Sequence, residues 1–256
     1  MYQFDNLQPV FSIKNLTTTY IKNSISTCSL KNISLNAYPG QVLGVIGESG
    51  AGKSSLMRAI LQNFQSTKNF KIEGVITPQI ESSSIGIIMQ NPATALCPVL
   101  SVYEHFYDAL FQHDKKSRKE IAIHWLNRVQ LLFPEQYLSR YPHQLSGGEQ
   151  QRICIALSLI KHPTILLADE PTASLDPLNC LEILNLLKIF QKEFQLTIIY
   201  VSHDLNVIRY IAQHIIVLRN GEILENNSTN NIFHNPKHSY TQNLLQFFNE
   251  LSYAQN

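Results

Sequence analysis

Apolar positions along the chain change period repeatedly, and each change marks the passage from one element to the next. Residues 10–20, "VFSIKNLTTTY", alternate weakly, and 30–38, "LKNISLNAY", alternate with period two until the Pro39-Gly40 turn. Both predict half-buried strands. Residues 41–47, "QVLGVIG", have no polar face, which predicts a short strand covered on both sides, as in a parallel sheet. A helix is predicted directly after it over 53–64, "KSSLMRAILQNF". "IGIIMQ" ends at Gln90, and beyond it the pattern becomes helical: "VYEHFYDALF" (102–111) and "RKEIAIHWLNRVQLLF" (118–133) carry apolar residues at helical spacing. Then follow a helix (150–160), a strand "TILLADE" (164–170), a helix (178–194), a strand "LTIIYVSHD" (196–204) and a hairpin "IIVLRNGEIL" with Asn220-Gly221 at its tip. The polar run "NNSTNN" (226–231) reads as a loop.

Strands alternating with helices predict an α/β fold with a mostly parallel sheet. An antiparallel β portion precedes it and a helical subdomain is inserted in it. We place the core at about 10–90 and 145–225, the helical insertion at about 91–144, and a C-terminal tail at 226–256. The 256 residues suit one large domain.

Composition narrows the classes. Hydrophobic residues make up 44% and charged residues 15%, a core-forming balance. A net charge of +1 gives no global field to attract nucleic acid. The densest basic stretch, "HDKKSRKE" (113–120), mixes signs and reads as a solvated loop and helix start. Cys28, Cys97, Cys154 and Cys180 lack metal-site or redox spacing, so a reducing, intracellular setting is expected. The N-terminus has no signal-peptide pattern, and no apolar run reaches the length of a membrane span.

Two glycine-rich stretches carry the chemistry. "GESGAGKS" follows a buried strand and opens a helix, the context in which G-x-x-x-x-G-K-[ST] cradles phosphate. Gly47, Glu48, Ser49, Gly50, Ala51, Gly52, Lys53, Ser54 and Ser55 would form this cradle. Lys53 would reach the β- and γ-phosphates, and Ser54 would offer its hydroxyl to Mg²⁺. This makes the chain a candidate P-loop NTPase. The strand "TILLADE" ends in two carboxylates, and burying unpaired charge is costly. Magnesium supplies a reason: Asp169 would hold it, and Glu170 would stand as general base for water. His203 ends the next strand, on the edge where ligands gather in an open parallel sheet, and is a γ-phosphate candidate. Asp176 and Pro177 read as the N-cap and first residue of a helix.

The second stretch, "HQLSGGEQQR" (143–152), places Gly147 and Gly148 at another helix start, also an anion-binding geometry. The helix over 149–161 would span about 18 Å. The strand over 164–169 would return about the same distance. These lengths let the glycine pair lie either with the first cradle or apart from it.

"GESGAGKS", "MQNP", "LSGGEQQR", "LLADEPTASLD" and "VSHD", in that order, resemble the ABC transporter ATPases, over about 10–245. "LSGGEQ" is the most specific of the five. The resemblance implies two ATPs between two cassettes, with Ser146, Gly147 and Gly148 of one covering the γ-phosphate held by the other. It further implies that Gln90 senses Mg²⁺ and water, that Asp176 faces the partner, and that Tyr20 stacks on adenine. "IIMQNPATALCPVLSV" and "IFHNPKHSYTQNLL" resemble the peptide/nickel importer subfamily. The short tail leans toward nickel or a metal complex, with di- or oligopeptides as the alternative cargo. The implied partners are a second ATP-binding subunit, identical or paralogous, two transmembrane permeases touching the region 91–104, and an extracytoplasmic solute-binding protein. The implied place is the cytoplasmic face of the cell membrane. "NPKHSYTQNLL" speaks against an exporter ATPase, and the single near-neutral cassette speaks against a soluble ABC protein acting on ribosomes or DNA.

Overall fold

A computed structural model describes residues 7–254 except 24, 63, 64 and 79. The strands are β1 Phe11–Lys22, β2 Ile25–Ala37, β3 Val42–Ile46, β4 Phe70–Thr77, β5 Ile85–Ile88, β6 Ile165–Asp169, β7 Thr197–Val201, β8 His214–Arg219 and β9 Glu222–Ser228. The helices are α1 Lys53–Leu61, α2 Pro92–Ala95, α3 Val102–Ala109, α4 Lys115–Arg128, α5 Gly147–Leu159, α6 Pro177–Phe194, α7 Leu205–Ile211, α8 Thr229–His234 and α9 Ser239–Ala254.

Two sheets form. One is antiparallel, in the order β2-β1-β4, and the other has six strands in the order β5-β6-β7-β3-β8-β9. Every pairing in the larger sheet is parallel except β8 with β9. Alternate side chains of its central strands enter two different cores. Val42, Ile46, Ala168, Ile198 and Tyr200 join the face covered by α5, α6 and α7, which continues into α3 and α4. Leu43, Val45, Leu167, Ile199 and Val201 join the face covered by α1 and the antiparallel sheet. All five residues of β3 and of β7 are buried, so these strands show no polar period.

Several predicted boundaries move. The helix predicted over 53–64 is described only to Leu61, with Gln62 as its C-cap; Asn63 and Phe64 lie outside the described residues. The helix predicted over 118–133 runs Lys115–Arg128. It stops because Gln130 and Phe133 take left-handed backbone conformations, φ 63° and 56°. "NNSTNN" is not a loop: it completes β9 and starts α8, where Ser228 caps the helix by accepting from Asn231 N at 3.2 Å. Its polarity misled because β9 is the sheet's edge strand. The hairpin tip forms as expected, with Asn220 at φ 49° and Gly221 at φ 80°. Asp176 caps α6, accepting from Leu178 N and Asn179 N at 3.1 Å each, with Pro177 first in the helix.

The helices inserted after Gln90 are bound to the sheet layer by particular side chains. Trp125 of α4 is buried with its ring 6.0 Å from Phe190 and 6.2 Å from Phe194, both on α6. Arg152 of α5 is buried too, donating to Val129 O at 2.8 Å and Glu182 Oε2 at 2.6 Å. Trp125→Ala should therefore cost about 3–5 kcal/mol, seen as a lower unfolding midpoint in denaturant. A loss under about 1 kcal/mol would show that this cluster does not fasten the helices to the sheet.

Candidate nucleotide-binding site

Strands β3, β5, β6 and β7 are parallel, so their carboxyl ends lie along one edge of the sheet. β3 leads into the glycine loop 47–52 and then α1. Two glycines there have no substitute. A Cβ at Gly47 would stand 2.2 Å from Leu218 O, and one at Gly52, where φ is +110°, 2.7 Å from Ser29 O. The loop is thus wedged between β2 and the end of β8.

α1 differs from the helices that follow it. α2 through α8 are each capped by a side-chain oxygen: Asn91, Ser101, Asp114, Ser146, Asp176, Asp204 and Ser228. α1 begins at Gly52 with no side-chain cap. Its first-turn N–H groups and the positive end of its dipole favour an anionic partner. Next to them, Lys53 Nζ donates to Gly47 O at 2.7 Å and Glu48 O at 2.9 Å.

A cleft of about 700 Å³ opens here. It is lined by the predicted residues Tyr20, Ser49, Gly50, Gly52, Lys53, Ser54, Ser55, Gln90, Asp169, Glu170 and His203. Ser29 also lines it, a residue that nothing in "STCSLKN" sets apart; its hydroxyl pairs with Thr18 Oγ1 at 2.8 Å. Side chains from three strand ends meet here, two of them on the carboxylate of the third. Glu170 Oε2 stands 3.3 Å from Gln90 Nε2 and 3.0 Å from His203 Nδ1. Glu170 holds this place in a left-handed conformation, φ 45°, fastened by its N–H to Val201 O at 3.0 Å. Tyr20 packs on Phe70 at 4.6 Å between centroids, with the Arg58 guanidinium 5.6 Å from its ring.

The electrostatics of the cleft are unbalanced. Burial pushes the Asp169 carboxyl above its ordinary value, the Glu170 charge adds to that, and Lys53 offsets part of it. Burial likewise lowers the Lys53 ammonium, against the pull of Glu170 and Asp169. The oxygen donors here, the Ser54 hydroxyl, the Gln90 amide and the Asp169 carboxylate, are the hard ligands Mg²⁺ takes, in the number it takes when phosphates supply the rest. The donor set fits the ion.

Ser146, Gly147 and Gly148 do not line this cleft. Ser146 caps α5 within its own chain: its backbone N–H donates to Glu149 Oε2 at 2.7 Å, and its hydroxyl accepts from Glu149 N at 3.3 Å. A Cβ at Gly148 would stand 2.8 Å from Asn179 Oδ1, whereas at Gly147 the nearest neighbour is Leu175 Cδ2 at 4.0 Å. The glycine pair is packed on one side by α6 and open on the other.

A family model described as ABC transporter matches residues 30–173, more than half of the chain. The chain belongs to the ABC transporter family. It is an ATP-binding cassette, a class of domain whose members are ATPases. Its relatives include the glutathione import ATP-binding protein GsiA of Escherichia coli (strain K12), 33% identical over 258 residues, and that of Salmonella choleraesuis, 35% identical. Each match covers 92% of this chain but 41% of the relative, so the chain spans less than half the length of these curated proteins. Among solved structures, the dimeric cassette MJ0796 in a post-hydrolysis state with ADP and Pi is 31% identical, with a TM-score of 0.72 over 86% of this chain and 99% of that one. CbiO1 from Clostridium perfringens, part of the ABC transporter complex cbiONQ, is 27% identical, with a TM-score of 0.75 over 89% of this chain and 91% of that one. The cassette fold expected from the sequence is the fold observed. Among the described residues, no helix is long and apolar enough to cross a membrane.

The raised Asp169 carboxyl has a consequence for the nucleotide-free cassette. Its folded-state value lies above the unfolded one, so ionised Asp169 disfavours the fold at neutral pH and not below the ordinary carboxylate range. Asp169→Asn should raise the melting temperature at neutral pH, with the gain shrinking as pH falls toward that range. A gain independent of pH would contradict this.

Proposed function

We propose that this cassette is the ATP-hydrolysing subunit of an ABC importer of the peptide/nickel class. One observation carries the reading: the convergence of Gln90 and His203 on Glu170 beside Lys53, at the mouth of an uncapped helix. Lys53 and the N–H groups of 50–55 hold the β- and γ-phosphates. Tyr20 supports the adenine ring. Ser54, Gln90 and Asp169 hold Mg²⁺, which supplies charge neutralisation for the phosphates when bound. Glu170, kept in place by Gln90 and His203, takes the proton from the attacking water. His203 also faces the γ-phosphate.

In this reading the site is complete only when a second ATP-binding subunit, identical or paralogous, lays Ser146, Gly147 and Gly148 over the γ-phosphate. The open side of Gly147 supports that approach. The dimeric state of the MJ0796 structure supports it as well. The partners are then two transmembrane permeases and, through them, an extracytoplasmic solute-binding protein, with the cassette on the cytoplasmic face of the membrane. For cargo, the glutathione importers among the relatives favour a small peptide, glutathione being a tripeptide. The nickel lean of the sequence gains nothing from them and stands as the alternative.

Glu170→Gln should leave ATP bound while slowing hydrolysis by about 10²–10⁴, measured as phosphate release by the assembled complex; turnover at the unmodified rate would remove Glu170 from the role of base. Ser146→Arg in one subunit should stop hydrolysis in its partner and leave its own Lys53 site binding ATP. Loss confined to its own site would overturn the shared arrangement.

A further inference from the structure

The loop that carries Glu170 out of the sheet is tied down where it begins. Residues 170–176 join β6 to α6 by successive turns: Ala173 N donates to Glu170 O at 3.2 Å, and Leu175 N donates to Thr172 O at 3.2 Å. β7 runs beside this start in parallel register, with Ala168 opposite Tyr200 and Asp169 opposite Val201. Its end is bonded to the loop by backbone and side chain alike. Val201 O accepts from Glu170 N at 3.0 Å, and His203 Nδ1 stands 3.0 Å from Glu170 Oε2. The Tyr200 hydroxyl pairs with Thr172 Oγ1, also at 3.0 Å.

The hydroxyl pair is the bond that a sheet does not require. Tyr200 is fully buried among the apolar side chains covered by α5, α6 and α7, and Thr172 is buried as well. Phenylalanine would fill the same core with no polar atom to satisfy, and a buried hydroxyl is costly unless it is paired. Burial pushes the phenol well above its ordinary range, so it stays a neutral hydroxyl. Packing by itself leaves the loop room to shift. Thr172, Ala173 and Leu175 line a hollow of about 500 Å³ that α6 and α7 also border. His203 lines both this hollow and the nucleotide cleft. Open space on one side of a residue forfeits the contacts that would hold it there. The hydroxyl pair supplies the fixing that packing does not.

We propose that Tyr200 is a positioning residue for Glu170. Its hydroxyl holds Thr172 to β7, which fixes the turn beginning at Glu170 and keeps that carboxylate where Gln90 and His203 meet it. Tyr200 does not line the nucleotide cleft; it acts through Thr172. This rests on the reading of Glu170 as base for the attacking water.

The test follows phosphate release by the assembled complex over a range of ATP concentrations. Tyr200→Phe should lower kcat roughly tenfold and leave KM for ATP nearly unchanged, because the base shifts and the phosphate cradle does not. Thr172→Val should lower kcat to a similar extent, and Thr172→Ser, which keeps a hydroxyl, should recover most of the loss. Joined to Glu170→Gln, Tyr200→Phe should add little. A merely structural role would lower the melting temperature and leave kcat as it was, and that result overturns the proposal. An equal loss on top of Glu170→Gln overturns it too. Were Glu170→Gln alone to turn over at the unmodified rate, the base reading would fall and this proposal with it; a slow Glu170→Gln beside an unimpaired Tyr200→Phe sinks the proposal alone. Should Tyr200→Phe not fold, the Thr172 variants decide: a slow Thr172→Val with a faster Thr172→Ser supports the proposal, and equal rates overturn it.

Discussion

Helix α1 begins without a cap, and the arrangement around it follows from that. Its first-turn N–H groups require an acceptor that the chain does not supply as a side chain, in contrast to the serines, asparagine and aspartates that start α2 through α8. The loop before it passes close to neighbouring backbone, because Leu218 O and Ser29 O leave no room for side chains at Gly47 and Gly52. An uncapped helix start at the end of a buried parallel strand is a positive site, and the carboxyl ends of β5, β6 and β7 bring Gln90, Asp169, Glu170 and His203 to it.

The charges around that start are arranged for an incoming pair of opposite sign. Without nucleotide, Lys53 turns back onto the carbonyls of its own loop, and two adjacent carboxylates share a partly buried corner. In the proposed reading, triphosphate gives Lys53 anionic acceptors in place of those carbonyls, and a divalent cation offsets the charge of Asp169. Each addition relieves a local imbalance, so the two are expected to bind together. Glu170 is the exception, already fastened by Gln90, His203 and its own backbone. In its proposed role as base, a carboxylate held in place before substrate arrives needs no reorganisation at the chemical step.

What the sequence showed was local. The glycine cradle, the Asp-Glu strand end, the Asn220-Gly221 hairpin and the Asp176-Pro177 helix start each depend on residues a few positions apart. His203 was legible because parallel strands end on one edge, a topology itself readable from strand–helix alternation, whereas Gln90 was singled out only by the family resemblance. What failed was non-local. "NNSTNN" looks like a loop until β9 is known to be an edge strand paired only with β8, where polar side chains meet water. Helix α4 stops five residues early because the backbone turns left-handed at Gln130 and Phe133, which apolar spacing does not reveal. Ser29 lines the cleft from a distant strand, and no spacing connects it to the phosphate loop.

The central claim is that this chain holds a magnesium triphosphate at the start of α1 and offers its glycine pair to a different subunit. Amide chemical shifts recorded while the isolated chain is titrated with ATP·Mg²⁺ test it most directly. The account predicts the largest changes at Gly50, Gly52, Lys53, Ser54, Ser55 and Asp169, with residues 146–149 nearly still. Shifts concentrated at 146–149 with the loop before α1 unmoved would contradict it.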